Sequence, residues 1–171
     1  MSDSIKRKVC MLGAFGVGKT SLVRRFVQSM FSEKYLTTVG VKIDKKQVEA
    51  GGREVTLLIW DIAGEEDAGD VNLNYLRGAA GYFLVADGTR SETLAAAEGL
   101  RARVDAAAPG LPLVILLNKS DLSDAWEVDE GRLVSQAGGG VRVVRTSAKT
   151  GAGVEEAFGT LARLVAGPPG A

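Results

Sequence analysis

Lys8-Val-Cys-Met-Leu-Gly13-Ala-Phe-Gly-Val-Gly18-Lys19-Thr20 joins a short apolar run to a glycine loop that ends in a lysine and a hydroxyl residue. Behind it, Leu22, Val23, Phe26, Val27 and Met30 form an apolar stripe of helical period, with Arg24, Arg25 and Gln28 on the opposite face. A buried-type strand, a G-x-x-x-x-G-K-[ST] loop and an amphipathic helix in that order make a phosphate loop. Its glycines let successive backbone N–H groups point at anionic oxygens, the helix N-terminus adds partial positive charge, and Lys19 adds a full one. Thr20 offers a hydroxyl oxygen to Mg²⁺. Gly13, Phe15, Gly16, Val17, Gly18, Lys19, Thr20 and Ser21 are therefore the first candidate ligand contacts.

Outward from this loop, apolar runs of strand length alternate with helical stripes, which predicts βαβ units around a mostly parallel sheet. The expected strands are Lys8–Leu12, Val41–Val48, Glu54–Trp60, Tyr82–Ala86, Leu113–Leu117 and Val141–Arg145. Gly51-Gly52 supplies positive φ at both positions of a two-residue turn, so the second and third strands should form an antiparallel hairpin. Leu94, Ala97, Leu100 and Val104 mark a second helix, and Val154, Phe158, Leu161 and Val165 a third. A weakly patterned helix after Trp126 should end at Gly138 to Gly140. With no repeat and no linker, residues 1–171 read as a single domain, with 1–5 and 167–171 as tails.

Composition excludes several classes. The 171 residues carry 21 Lys plus Arg and 21 Asp plus Glu, which gives no field for non-specific binding to nucleic acid. The longest apolar stretch, Leu111–Leu117, contains Pro112 and falls far below the ~18 residues needed to cross a bilayer. Lys6, Arg7 and Lys8 precede an apolar run as in a secretion signal, but no small-residue cleavage site closes it. Ser2 does not suit myristoylation and the tail lacks a cysteine to prenylate, so no membrane anchor and a cytoplasmic location are expected. Cys10, the single cysteine, is either a small buried hydrophobe or a reactive thiol. Without histidine, the chain lacks the usual zinc ligand and general base.

Two further segments carry chemistry. Asp61 ends the run Leu57-Leu58-Ile59-Trp60, where a strand-end carboxylate would organise a phosphate-bound Mg²⁺; taken alone, it equally fits a solvated strand end. Gly64, at the end of Asp61-Ile-Ala-Gly64, would bring a backbone N–H to a terminal phosphate without a Cβ in the way. Asn118-Lys119-Ser120-Asp121 follows an apolar strand at the edge where α/β sheets bind ligands, though alone it also reads as a surface turn. The Asp121 carboxylate can accept from the adjacent N–H and amino groups that guanine presents and adenine does not. Lys119 would lay its stem on the base plane, and Ser147-Ala148-Lys149 would give the guanine carbonyl a backbone donor.

Taken together, GAFGVGKTS, TTVGVKI, LLIWDIAGEE, YLRGAAG, NKSD and TSAK stand in an order that resembles the small guanine-nucleotide-binding proteins of the Ras superfamily, nearest to the Rab branch. The resemblance covers roughly Lys6 to Ala166. It implies that Thr38 is the switch I threonine on Mg²⁺ and the γ-phosphate, alongside Thr20 and Asp61. Phe31 would pack edge-on against guanine, Tyr35 would cover the phosphates, and Gly64 would hinge switch II. Ile43, Trp60 and Tyr75 would form an apolar patch read by effectors, while Arg77 is structural and Trp126 matches no role but packing or loop anchoring. The chain departs from the family at Glu65, where a catalytic glutamine is usual, at Phe15, where a small residue is usual, and in its cysteine-free C-terminus.

The resulting expectation is an α/β P-loop NTPase fold with a six-stranded mostly parallel sheet, one antiparallel edge strand and about five helices. The function expected of it is a GTP-binding switch that hydrolyses GTP to GDP with Mg²⁺, with Glu65, Lys19 and Gly64 as catalytic residues. Effector, exchange-factor and activating proteins would be its partners, and alone it would be monomeric. A guanine-nucleotide-binding module with little hydrolysis is the alternative. A small-molecule kinase would need an arginine-bearing lid and an acceptor pocket, for which the sequence has no candidate.

Overall fold

The structure, a computed structural model, describes residues 4–14, 16–27, 41–62, 73–130 and 141–167, and the backbone of 35–36. Strand β1 runs Ser4–Gly13, β2 Tyr35–Leu36, β3 Val41–Ala50, β4 Arg53–Ile62, β5 Gly81–Asp87, β6 Leu113–Asn118 and β7 Arg142–Arg145. Helices α1, α2 and α3 span Lys19–Val27, Ser91–Ala107 and Val154–Ala166. The seven strands form one sheet in the order β2-β3-β4-β1-β5-β6-β7. β1 lies at its centre, parallel to β4 and β5, and the parallel run continues through β6 to β7.

All six expected strands and the hairpin are present. Gly51 and Gly52 have φ of 61° and 77°, which matches the strand twist and sets β3 against β4 from Val41↔Ile62 to Ala50↔Arg53. One strand was not expected: Tyr35–Leu36 pairs antiparallel with Ile43 and Lys42, so β3 is not the outermost strand. Two residues give no alternation to read. β1 begins at Ser4, paired with Glu54, so Ser4 and Ile5 belong to the sheet and not to a tail. The described residues contain three α-helices and two 3-10 turns, Leu73–Leu76 and Ser123–Ala125. The helix expected to end at Gly138 to Gly140 falls largely on residues outside the described set, as does Met30.

Alternation along the strands divides the core in two. Val9, Met11, Leu57, Ile59, Phe83, Val85, Val114 and Leu116 face α1 and α3, where Phe158 stacks on Phe26 (ring centroids 3.9 Å) and tilts against Phe83 (4.8 Å). On the other face, Cys10, Leu12, Tyr82, Leu84, Ile115 and Leu117 pack against Ala97, Leu100 and Val104 of α2. Leu94 is half-buried and Thr93 takes the buried place beside it, because its hydroxyl receives Asp87 N–H (2.8 Å) and donates to Arg90 O (2.7 Å). Both faces of β5 and β6 are covered, as a parallel interior requires, so their C-terminal ends supply rigid ground for loops. No helix among the described residues is long and apolar enough to cross a membrane.

Candidate functional site

The phosphate loop leaves the end of β1 and returns as the first turn of α1, with Gly18 O accepting from Leu22 N (2.9 Å). Close approach dictates its glycines. A Cβ on Gly13 would lie 2.5 Å from Val85 O, and one on Gly18, at φ +99°, would lie 2.2 Å from Asn118 Nδ2. Lys19 is buried, and its Nζ donates to Gly13 O (3.1 Å) and Ala14 O (3.3 Å), which aims the ammonium across the loop. Burial pulls its pKa down, against the attraction of Asp61. The side chain is therefore a desolvated cation short of counter-charge, the condition a phosphate relieves.

Asp61 sits at the end of β4, in register with Met11 of β1, and reaches α1: Thr20 Oγ1 donates to Asp61 Oδ2 at 2.5 Å. Burial raises its pKa, and Thr20, Lys19 and Lys42 oppose that rise. Two hard oxygen donors on converging elements suit Mg²⁺, which keeps waters and phosphate oxygens as its other ligands.

At the neighbouring strand ends, β6 delivers Asn118, which is buried. Its Nδ2 donates to Val17 O of the phosphate loop (2.9 Å) and its Oδ1 accepts from Thr146 Oγ1 (3.1 Å). One amide thus ties the phosphate loop to both loops expected to hold the base. Lys119 has φ +70°, the only positive φ of a non-glycine among the described residues, and its Nζ lies 2.9 Å from Asp87 Oδ2. The Asp121 carboxylate accepts from Ser147 Oγ (2.8 Å), whose own N–H donates to Ala152 O, so the turn through Ala148 and Lys149 is pinned at both ends.

The structure thus brings Gly13, Gly16, Val17, Gly18, Lys19, Thr20, Asp61, Asn118, Lys119, Asp121, Ser147, Ala148 and Lys149 to one edge of the sheet, with exposed Ser21 on the first turn of α1. Tyr35 is placed by its backbone in β2. Phe15, Phe31, Thr38, Gly64 and Glu65 lie outside the described residues. Three residues escaped the sequence reading: Asp87, Thr146 and Arg90. Asp87 had a signal, a carboxylate ending an otherwise apolar strand. Thr146 opens the TSAK stretch of the resemblance, but nothing in the sequence marked its hydroxyl as the partner of Asn118.

Away from the strand ends, Ile43 stands opposite Trp60 in the β3–β4 register, and Trp60 lies 6.3 Å from Tyr75, all three half-buried. Lys8 Nζ covers the Trp60 ring at 3.7 Å and donates to the backbone carbonyl of Arg77 (2.8 Å), a bond that does not depend on the Arg77 side chain. Trp126 packs on Gly88 with Arg145 over its ring, a loop anchor as expected. Burial pushes the Cys10 thiol up to about 12, so of the two readings the inert hydrophobe holds.

The model of the Ras family matches residues 8–167. The chain belongs to the Ras family. It is 36% identical over 158 residues to Ras-related protein Rab-8B of Homo sapiens, covering 91% of this chain and 76% of that one. It is 33% identical over 158 residues to Ras-related protein Rab-13 of Canis lupus familiaris, covering 91% and 78%, and 38% identical over 161 residues to Ras-related protein Rab-25 of Homo sapiens, covering 92% and 75%. A Rab-like member of the Ras family is a GTP-binding switch and a GTP hydrolase, and this chain is one. The P-loop fold read from Gly13–Thr20 is the fold of that family.

Proposed function

We propose that this Ras-family GTPase is a cytoplasmic, Mg²⁺-dependent GTP/GDP switch that acts as a single domain over residues 1–171 and is monomeric on its own. Phosphates sit in the loop Gly13 to Ser21, with Lys19 neutralising the charge that spreads onto them during hydrolysis. The base lies between Asn118–Asp121 and Ser147–Lys149, with Phe31 at its edge and Tyr35 over the phosphates. Thr20, Asp61 and Thr38 hold Mg²⁺, which when bound would draw charge off the phosphate oxygens. Gly64 meets the γ-phosphate by its N–H, Glu65 orients the attacking water, and loss of the γ-phosphate releases the segments around Thr38 and Gly64. Effectors, exchange factors and activating proteins read those segments together with Ile43, Trp60 and Tyr75, where an aromatic pair beside an aliphatic residue supplies an anchor.

The observation that carries this reading is the hydrogen bond from Asn118 Nδ2 to Val17 O at 2.9 Å, which fixes the spacing between a phosphate-binding loop and a guanine-selective carboxylate. Competition of GTP, ATP and xanthosine triphosphate against a fluorescent GDP analogue tests it; GTP should displace the probe and ATP should not. Single-turnover hydrolysis then separates a switch from a module that only holds nucleotide. No turnover over hours, with tight GTP binding, would favour the module.

A further inference from the structure

Arg90 belongs to neither the phosphate loop nor the 118–121 and 147–149 loops, yet its guanidinium lies beside the first and shares a carboxylate with Lys119 of the second. A Cβ on Gly16 would fall 3.3 Å from Arg90 Nη1, so the guanidinium stands beside the exposed backbone of the phosphate loop. The same Nη1 is 4.0 Å from Asp87 Oδ2, which also holds Lys119 Nζ at 2.9 Å. Asp87 is fully buried, and its Oδ1 is occupied by the N–H and hydroxyl of Thr89 (2.9 and 2.6 Å). No well-aligned hydrogen bond reaches Oδ2, which meets the two cations by charge. A buried carboxylate thus faces one cation of the base site and one beside the phosphate loop.

The loop that carries this pair is held firmly. Gly88 N donates to Asn118 O (3.0 Å), and Gly88 O accepts from Glu127 N (2.8 Å) and Val128 N (3.2 Å). The Glu127 carboxylate accepts Ser91 N–H at the start of α2 (3.0 Å). Burial raises the pKa of Asp87, but the Thr89 hydrogen bonds and Lys119 outweigh it and hold the carboxyl below its usual range, so Oδ2 stays anionic. Glu92 takes Arg90 Nε (3.1 Å) on the solvent side, and the side chain is 42% exposed. Nη1, beside Gly16, has a carboxylate only at 4.0 Å, so a nearby anion would add charge that Asp87 supplies only weakly.

We propose that Arg90 is a further nucleotide-binding residue, held beside Gly16 by Asp87 and contacting a phosphate of the bound guanine nucleotide. This rests on the GTP-switch reading above. A guanidinium there slows nucleotide release, and Asp87 is a positioning residue that aligns Arg90 and Lys119 together.

The test is release of N-methylanthraniloyl-GDP from the wild-type protein, Arg90→Gln and Arg90→Lys, at salt from about 50 to about 500 mM. Arg90→Gln should release about tenfold faster, as expected for losing one charge-assisted hydrogen bond, and Arg90→Lys should recover much of that loss. The ratio of Arg90→Gln to wild type should shrink as salt rises. Release from Arg90→Gln within twofold of wild type would overturn the proposal. So would faster release that lysine does not rescue and salt does not change, the signature of a loosened α2. A wild-type protein that retains no labelled GDP would overturn both this inference and the switch reading, whereas retention by wild type and Arg90→Gln alike removes only the inference.

Discussion

Asp121 is exposed and oriented through one hydrogen bond from Ser147 Oγ, so exchanging its carboxylate for an amide leaves its surroundings intact and changes one recognition surface. Asp121→Asn loses an acceptor for guanine and gains a donor that suits the extra carbonyl of xanthine. The ratio of GTP to xanthosine triphosphate affinity should fall by about 10²-fold or more, read by competition against fluorescent GDP. Phe15 and Glu65 bear on turnover. On the proposed reading, an ionised Glu65 would accept from the attacking water but could not donate toward the γ-phosphate as a glutamine does, and a phenylalanine at position 15 would obstruct an activating arginine, a contribution worth about 10³ to 10⁵ in rate. Unaided hydrolysis should run at about 10⁻⁴ to 10⁻² per second with little response to arginine-supplying activators. Comparing single turnover in the wild type, Phe15→Gly and Glu65→Gln, each with and without an activator, checks this; strong stimulation with Phe15 in place counts against it.

Within the elements, α2 carries a correctable flaw. Gly99 sits mid-helix on the exposed face with nothing within 4 Å of the place an alanine methyl would take, so alanine adds no clash and removes backbone freedom from the unfolded chain. Gly99→Ala should stabilise by about 0.5–1 kcal/mol and raise Tm by roughly 1–4 °C in a thermal melt with nucleotide present. Element identity was readable in advance wherever burial was periodic: β1, β4, β5 and β6 alternate or run fully apolar, and α3 repeats Val154, Phe158, Leu161 and Val165. The phosphate loop, Asp61 and Asn118 were readable because each stands at a fixed offset from such a strand end. Pairing across long sequence gaps was not. Thr93 looks like a surface residue until its hydroxyl is found closing the Asp87–Arg90 turn, and Arg90 looks like a solvated charge until the β5–α2 loop folds beside Gly16. β2 depends on partners in β3 and carries no pattern of its own.

Across the whole molecule, the site is built from strands on both sides of β1 and joined by single contacts such as Asn118–Val17, so bound nucleotide would add a further bridge between parts held together by the sheet and those contacts. Ligand that binds only the folded chain adds about 4 kcal/mol at a thousandfold excess over Kd, and melting should rise by roughly 8–16 °C on saturation with GDP and Mg²⁺. Chelating the metal should return part of that gain, since Thr20 and Asp61 then keep only the hydrogen bond between them and the phosphates lose a cation. Lys19 sets the pH dependence of the nucleotide-free form. Its folded pKa is lowered by burial while the unfolded chain titrates near the ordinary lysine value of about 10.4. Between those values the unfolded state binds more protons, so this group's contribution to stability rises with pH through that window. The nucleotide-free wild type should therefore gain stability relative to Lys19→Met as pH climbs from neutral toward 10, because methionine keeps the stem and has no proton to lose. With GDP bound, phosphate charge restores the ammonium, and the wild-type slope should flatten. Urea melts of both variants across that pH range, with and without GDP, read the two slopes; parallel curves in the nucleotide-free state would show that Lys19 is no strained cation.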